Sequence, residues 1–333
     1  MPDIIELDNV GMSFEKKGGI FRQNKRIDVL RNIDLNIKEG SIVAVVGESG
    51  CGKTTVGKII TGLLKPTSGE IRFGGKNLYG FSLTDFSRTR ELVQFVQQDS
   101  YAALNPVRTI YQSLSAPIRH HYKNYSVAEV DDKINNIMAM VGLTPPEQFL
   151  SKFPHMLSGG QRQRILMARA ISLEPKLIVA DEPVSMIDVS LRLSILNLMN
   201  ELNEKLGISF VYITHDLATA RYIAREGNIC VMYLGEIVEY GNVNEVIGFP
   251  KHPYTRALIS AVPVPDPEVA KREKPIPIKS MEITPLENRP EGCVFFDRCP
   301  YADEKCKSRI DYAYVNGVKV KCRKTEELPE WIN

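Results

Sequence analysis

The chain has 333 residues, of which 43% are hydrophobic and 25% charged, and its 42 basic and 40 acidic residues leave a formal charge of +2. That length exceeds one small core and predicts two or three packed units, while the near balance of charge gives no electrostatic footprint for a nucleic-acid partner. No apolar run approaches the roughly eighteen residues of a membrane span, and Met1-Pro-Asp-Ile-Ile-Glu6 lacks the basic and apolar regions of a signal peptide, so the expectation is a cytosolic protein that can dock on a membrane partner.

Ile5, Leu7 and Val10 open a half-buried strand, and Ile33, Leu35 and Ile37 alternate with Asn32, Asp34, Asn36 and Lys38 in a second. Together they predict an antiparallel edge sheet. A polar, glycine-containing excursion from Glu15 to Lys25 separates them. Phe14 is a better candidate than Phe21 to stack on an adenine ring; the other reading is that it anchors the strand in the core. Ile42 to Val46 is a β-branched run of the kind found in strands buried on both faces. After it, Gly47 to Thr54 has the spacing G-x-x-x-x-G-K-[ST] of a phosphate-binding loop. Such a loop turns successive N–H groups inward on phosphate oxygens. The predicted nucleotide-binding set is therefore Gly47, Glu48, Ser49, Gly50, Cys51, Gly52, Lys53, Thr54 and Thr55. Lys53 reaches the β- and γ-phosphates and the Thr54 hydroxyl ligates Mg²⁺. Val56 to Leu64 continues as a helix whose N-terminal dipole faces the same anion.

Gly69 to Gly75 reads as a strand leaving by a glycine turn, and Val93 to Val96 as another, ending at Gln97 and Gln98. From Ser100 to Leu157 the pattern turns helical. Ile110, Leu114 and Ile118 share one face, and Val130, Ile134, Ile137, Met138 and Val141 share the next. This block, near 100–160, reads as a helical subdomain inserted into an α/β core. Leu157-Ser-Gly-Gly-Gln161 leads into a helix from Arg162 to Ser172, with Ser158 as N-cap, which makes a second glycine-bearing helix N-terminus suited to an anion. Leu177 to Glu182 is a buried strand ending in two carboxylates. A helix from Leu191 to Leu206, a strand from Ser209 ending at Thr214-His215-Asp216, a helix from Leu217 to Arg225, and strands at Ile229 to Met232 and Ile237 to Tyr240 complete the core. Beyond it, Pro263, Pro265, Pro267, Pro275, Pro277, Pro285 and Pro290 predict an extended linker that wanders over a surface. The division expected is a unit 1–262 and a tail 263–333.

A phosphate loop alone does not name a chemistry; the strand ends do. Asp181 is placed to hold Mg²⁺ directly or through water, and Glu182 to polarise a water for in-line attack on the γ-phosphate. His215 can donate to that phosphate, and Gln98 can touch both Mg²⁺ and water. All lie at strand ends, where open α/β sheets gather their ligands. Taken with Leu157-Ser-Gly-Gly-Gln161, these residues resemble the ATP-binding cassette family. That resemblance implies a mixed α/β P-loop core with an antiparallel edge subdomain, the inserted helical subdomain, and a small C-terminal cysteine-rich extension. It also implies a head-to-tail dimer in which Ser158, Gly159, Gly160, Gln161 and Asp188 of one subunit meet the ATP held by the other. Ser185-Met-Ile-Asp188 matches the family's D-loop only at its ends, and Cys51 stands where serine is commoner.

Gln98 to Pro106, Asp181-Glu-Pro-Val-Ser185, Tyr233 to Glu239 and His252-Pro-Tyr-Thr-Arg-Ala-Leu258 look like the oligopeptide/dipeptide/nickel importer ATPases, and the Glu-Pro-Val-Ser wording like their second ATPase subunit. The implied work is ATP hydrolysis that drives import of di- or oligopeptides, or of a related solute such as an oligosaccharide or metal complex. The implied partners are a second ATPase subunit (a paralogue or a second copy), two transmembrane permease subunits docked on Tyr101 to Pro106 and the helices after it, and, indirectly, an extracytoplasmic solute-binding protein. The implied place is the cytoplasmic face of the membrane. A soluble cassette ATPase of translation or DNA repair is the rival reading, disfavoured by the single phosphate loop and the lack of sustained heptads. A regulatory cassette without turnover is disfavoured by Lys53, Glu182 and His215.

Of six cysteines, Cys51 and Cys230 lie in the core pattern, whereas Cys293, Cys299, Cys306 and Cys322 follow at gaps of 5, 6 and 15 residues in the tail. In a reducing cytosol such a cluster favours metal over disulfides. The four thiolates can enclose Zn²⁺ or a [4Fe–4S] cluster. Every gap is longer than the knuckle spacing usual for zinc, which suits a larger object, and the importer resemblance implies the iron–sulfur cluster.

Overall fold

The structure, a computed structural model, describes residues 2–16, 25–262 and 277–331. The alternating segments at the N-terminal end form β1 (Asp3–Lys16) and β2 (Lys25–Lys38), paired antiparallel. The apolar run follows as β3 (Ile42–Val46), and α1 (Lys53–Ile60) begins inside the phosphate loop rather than at Val56. Next come β4 (Ser68–Phe73), the short β5 (Lys76–Asn77), α2 (Leu83–Leu92) and β6 (Val93–Val96). The sequence reading had no helix at α2, whose Ser82 N-cap accepts from the Asp85 N–H.

The helical stretch resolves into α3 (Ile110–His121), α4 (Val127–Met140), the single turn α5 (Glu147–Leu150) and α6 (Gly159–Ile171). Helices α3, α4 and α6 each start with a reciprocal capping box: Thr109 with Gln112, Ser126 with Glu129, and Ser158 with Gln161. Each box satisfies two of the helix's orphan donors from residues three apart. The chain continues through β7 (Leu177–Asp181), α7 (Val189–Leu206), β8 (Ser209–Thr214), α8 (Leu217–Ile223), β9 (Asn228–Tyr233) and β10 (Glu236–Asn242). Helices α9 (Val243–Gly248) and α10 (Pro253–Ser260) precede a C-terminal hairpin of β11 (Ala313–Val315) and β12 (Val318–Val320).

Two sheets result. One is antiparallel, in the order β2-β1-β4-β5; the other runs β11-β12-β10-β9-β3-β8-β7-β6, and its stretch from β9 to β6 is parallel. Strand β3 has the two buried faces its composition predicts. Val43 and Val45 join the cluster shared with β1, β2 and α1, whereas Ala44 and Val46 join the cluster on the other face, with α6 and α7.

The helical block shares its core with the sheet: Ile110, Leu114, Ile118, Val130, Ile134, Ile137, Met138 and Val141 lie in one cluster with Phe210 and Tyr212 of β8. The cysteine segment beyond the linker prolines packs on the same core. Val294, Phe295, Cys299 and Val318 enter that same cluster, and β12 pairs with β10. Their apolar side chains find more burial against the main sheet than so short a segment supplies on its own. The expected linker prolines Pro263, Pro265, Pro267 and Pro275 lie outside the described residues, as does Phe21.

Candidate nucleotide site

The loop between β3 and α1 is shaped by close backbone approach. Gly47 has φ +153°, and a Cβ there would stand 2.2 Å from the Met232 carbonyl oxygen, so only glycine fits without displacing β9. The buried Lys53 ammonium donates to the carbonyl oxygens of Gly47 at 2.7 Å and Glu48 at 2.9 Å. Cys51 is buried, and that burial pushes its thiol pKa up.

Asp181 ends β7 as a buried carboxylate. Desolvation raises its pKa and neighbouring Glu182 adds to the rise, against the Thr54 hydroxyl and the Lys53 and Lys58 ammoniums. Its Oδ1 is buried without a hydrogen-bond partner. An orphaned anionic oxygen beside a phosphate loop fits a Mg²⁺ ligand, because a divalent cation removes the cost of leaving it unpaired.

Glu182 takes φ +45°, unusual for a residue with a side chain. Its N–H donates to the Ile213 carbonyl of β8 at 2.9 Å, which holds the turn across the strand ends. The carboxylate is then bracketed: Gln98 Nε2, just past β6, donates to Oε2 at 3.1 Å, and His215 Nδ1, just past β8, lies 3.0 Å from Oε1. Three strand ends thus converge on one carboxylate, joining residues that the sequence singles out separately. Phe14 is exposed on β1 opposite Ile27, so it does not anchor the core.

At the second glycine-bearing helix start, Gln161 N–H donates to Ser158 Oγ at 3.3 Å and Ser158 N–H donates to Gln161 Oε1 at 3.0 Å. Gly159 and Gly160 sit against the Met186 carbonyl and Leu191, so this turn packs on the segment that carries Asp188, the N-cap residue of α7. Met186, Val189 and Leu193 beside it are exposed. On its other flank, Arg162 stacks over the Tyr101 ring and Arg169 donates to the Ala103 carbonyl at 2.8 Å.

Cys293, Cys299, Cys306 and Cys322 line one cavity together with His252, and all four are free thiols. Burial raises Cys299, pushes Cys293 up to about 12 and Cys322 up to about 11, and the neighbouring thiols add to each rise. Among the described residues, no group of three or more His, Cys, Asp or Glu is arranged to hold a single metal ion. Sequence reasoning missed two contacts on the phosphate loop: Tyr254 of α10 and Arg298 of the cysteine segment both bind Glu48. Nothing in their spacing signals it; the His252-Pro-Tyr254 stretch was visible only as a family wording.

A phosphate loop, a carboxylate pair at a strand end and a glycine-capped second helix, set on a parallel sheet with an antiparallel partner sheet, define a P-loop ATPase of the ATP-binding cassette class. The ABC transporter family matches residues 30–185, and the oligopeptide/dipeptide transporter C-terminal region matches residues 238–306. The chain is similar to the oligopeptide transport ATP-binding protein OppF of Salmonella typhimurium, at 40% identity over 91% of this chain and 90% of that one. It is similar to the di/tripeptide transport ATP-binding protein DppF of Pseudomonas aeruginosa, at 38% identity over 98% of this chain and 99% of the relative. Among solved structures, the ATP-binding cassette MJ0796 in a dimeric post-hydrolysis state with ADP and Pi superimposes with a TM-score of 0.63. It is 32% identical and covers 72% of this chain and 98% of its own. The chain belongs to the ABC transporter ATPases, and it is an ATP-hydrolysing enzyme.

Proposed function

We propose that the chain drives import of di- or oligopeptides through separate membrane subunits. The observation that carries this reading is the oligopeptide/dipeptide C-terminal region over residues 238–306, joined to an ATPase core. In the reaction, the loop N–H groups receive the triphosphate and Lys53 exchanges its carbonyl partners for phosphate oxygens. Thr54, Asp181 and Gln98 would hold Mg²⁺, which would supply positive charge against the triphosphate. Glu182 accepts the proton of the attacking water, whose oxygen bonds to the γ-phosphorus as the bond to the β–γ bridging oxygen breaks. His215 orients the phosphate, and Phe14 presents its ring to the adenine. Ser158, Gly159, Gly160, Gln161 and Asp188 close over the ATP of a second ATPase subunit, a paralogue or another copy.

The division proposed is a nucleotide-binding unit 1–262, with its helical portion near 100–160, and an extension 263–333. The exposed Tyr101 and its loop, tied to α6 through Arg162 and Arg169, support docking of the permease there. No helix among the described residues is long and apolar enough to cross a membrane; in the import reading, attachment is peripheral, at the cytoplasmic face, through the permease subunits. The test is affinity capture of the full chain from detergent-solubilised membranes, followed by reconstitution in liposomes. Two integral membrane subunits and ATP-dependent uptake of labelled tripeptide are expected. Uptake of an oligosaccharide or metal complex instead would remove the peptide assignment; capture of no membrane subunit would remove import.

Four thiols line one cavity, and every gap between them is longer than the knuckle spacing usual for zinc. Cys293, Cys299, Cys306 and Cys322 would hold a [4Fe–4S] cluster, which would supply a structural cross-link between the tail and the core. Anaerobically purified chain should contain about four iron and four sulfide per polypeptide. One zinc without sulfide would exclude the cluster and leave the ATPase unaffected.

A further inference from the structure

The second residue of the phosphate loop is gripped from the far end of the chain. Arg298 Nη1 donates to both carboxylate oxygens of Glu48, each at 2.9 Å, and to the Tyr233 hydroxyl at 3.2 Å. The Glu48 N–H donates to the Tyr254 hydroxyl at 2.9 Å, and the Glu48 carbonyl accepts from Lys53 at 2.9 Å. Glu48 is thus held at its amide, its carbonyl and its carboxylate.

Arg298 is anchored in turn. Its Nε donates to the Ser280 carbonyl at 3.2 Å, its own carbonyl accepts from the Lys279 N–H at 2.8 Å, and its side chain is buried. The guanidinium lies 5.6 Å from the Tyr233 ring centre and 5.7 Å from that of Phe295. Those rings and Tyr254 pack on one another with centroids 4.5 to 5.4 Å apart. The next residue, Cys299, lines the cysteine cavity.

An exposed ion pair this far apart in sequence would contribute little, but a buried arginine meeting a half-buried carboxylate makes charge-assisted bonds in a weakly screened setting. The loop also has to receive a triphosphate. An unpaired Glu48 carboxylate would repel that anion and would be free to pull the loop away from it. We propose that Arg298 is a positioning residue for ATP: it neutralises and fixes Glu48, so that nucleotide affinity depends on the packing of the C-terminal segment. The inference goes beyond the import reading. It rests only on ATP binding at the loop and needs no metal in the cysteine cavity.

Affinity of the full chain for Mg²⁺ and a non-hydrolysable ATP analogue tests it by calorimetry. Arg298→Met should weaken binding about tenfold, the scale of losing a charged hydrogen-bond pair, and Arg298→Lys should fall between it and wild type. Glu48→Gln added to Arg298→Met removes the repelling charge and should recover affinity to within about threefold of wild type. A merely structural arginine would give no such rescue. Wild-type affinity in a folded Arg298→Met chain, or a double variant as weak as the single, would overturn the proposal. If Arg298→Met does not fold, the wild-type chain carries the test by linkage. The analogue should then slow hydrogen exchange in the peptide around Arg298, and unchanged exchange would overturn it.

Discussion

Glu182→Gln is expected to retain ATP binding and to lose turnover by about 10²–10⁴-fold, the usual cost of removing one well-placed general base. The amide is close to the carboxylate in shape, and it can still accept from Gln98 and lie beside His215, the two groups that bracket Glu182 at 3.1 and 3.0 Å. What it cannot do is take a proton from water. Phosphate release in a single turnover and calorimetric binding of ATP, measured on the same preparation, separate the two effects. Near-normal release with intact binding would move the base elsewhere. Loss of both would mean that Glu182, through its positive φ and its bond to Ile213, mainly shapes the strand end.

Ser158→Arg should leave the ATP affinity of the isolated chain unchanged and abolish ATP-dependent dimerisation. Ser158 and Gln161 satisfy each other within one chain, and their turn lies on a different helix from the phosphate loop. An arginine there brings bulk and charge to a surface that has to close on another subunit. Loss of the N-cap costs about 0.5–2 kcal/mol, so a melting curve accompanies the assay to show that the chain remains folded. Light scattering in the Glu182→Gln background, with ATP present, reads the dimer. An equal fall in monomer affinity would place the Ser158 turn in its own chain's site.

The phosphate loop was legible because its work is done by backbone at fixed spacing: Gly47, Gly52, Lys53 and Thr54 carry their geometry in their order. The core strands were legible for a similar reason, since β3, β7 and β8 are short apolar runs punctuated by polar ends. Of the three capping boxes, only the Ser158 N-cap of α6 was read, although all three are local. What could not be read is whatever depends on meeting at a distance. The partners of Glu182 lie 84 and 33 residues away, and no periodicity reports such convergence. The same holds for Arg298, 250 residues from Glu48. That the helical block and the cysteine segment share the core of the main sheet was equally out of reach. Amphipathic faces announce that they need burial, but not whether the surface that buries them is their own.

The pairing of β12 with β10 sets the order in which the protein can be finished. Among the described residues, β10 has β9 on one side and β12 on the other. A chain emerging from the ribosome therefore carries an open strand edge, the kind that invites pairing with other chains, until Val318 to Val320 have been made. Once they arrive, the new rim is β11, only three residues long, and so short a rim is a poor template for another strand. The β11–β12 hairpin thus covers an edge that the rest of the sheet leaves open. A polypeptide cut short before Val318 would display an unpaired β10 and an unfilled place for Val318 in the core, both of which chaperones and proteases can recognise.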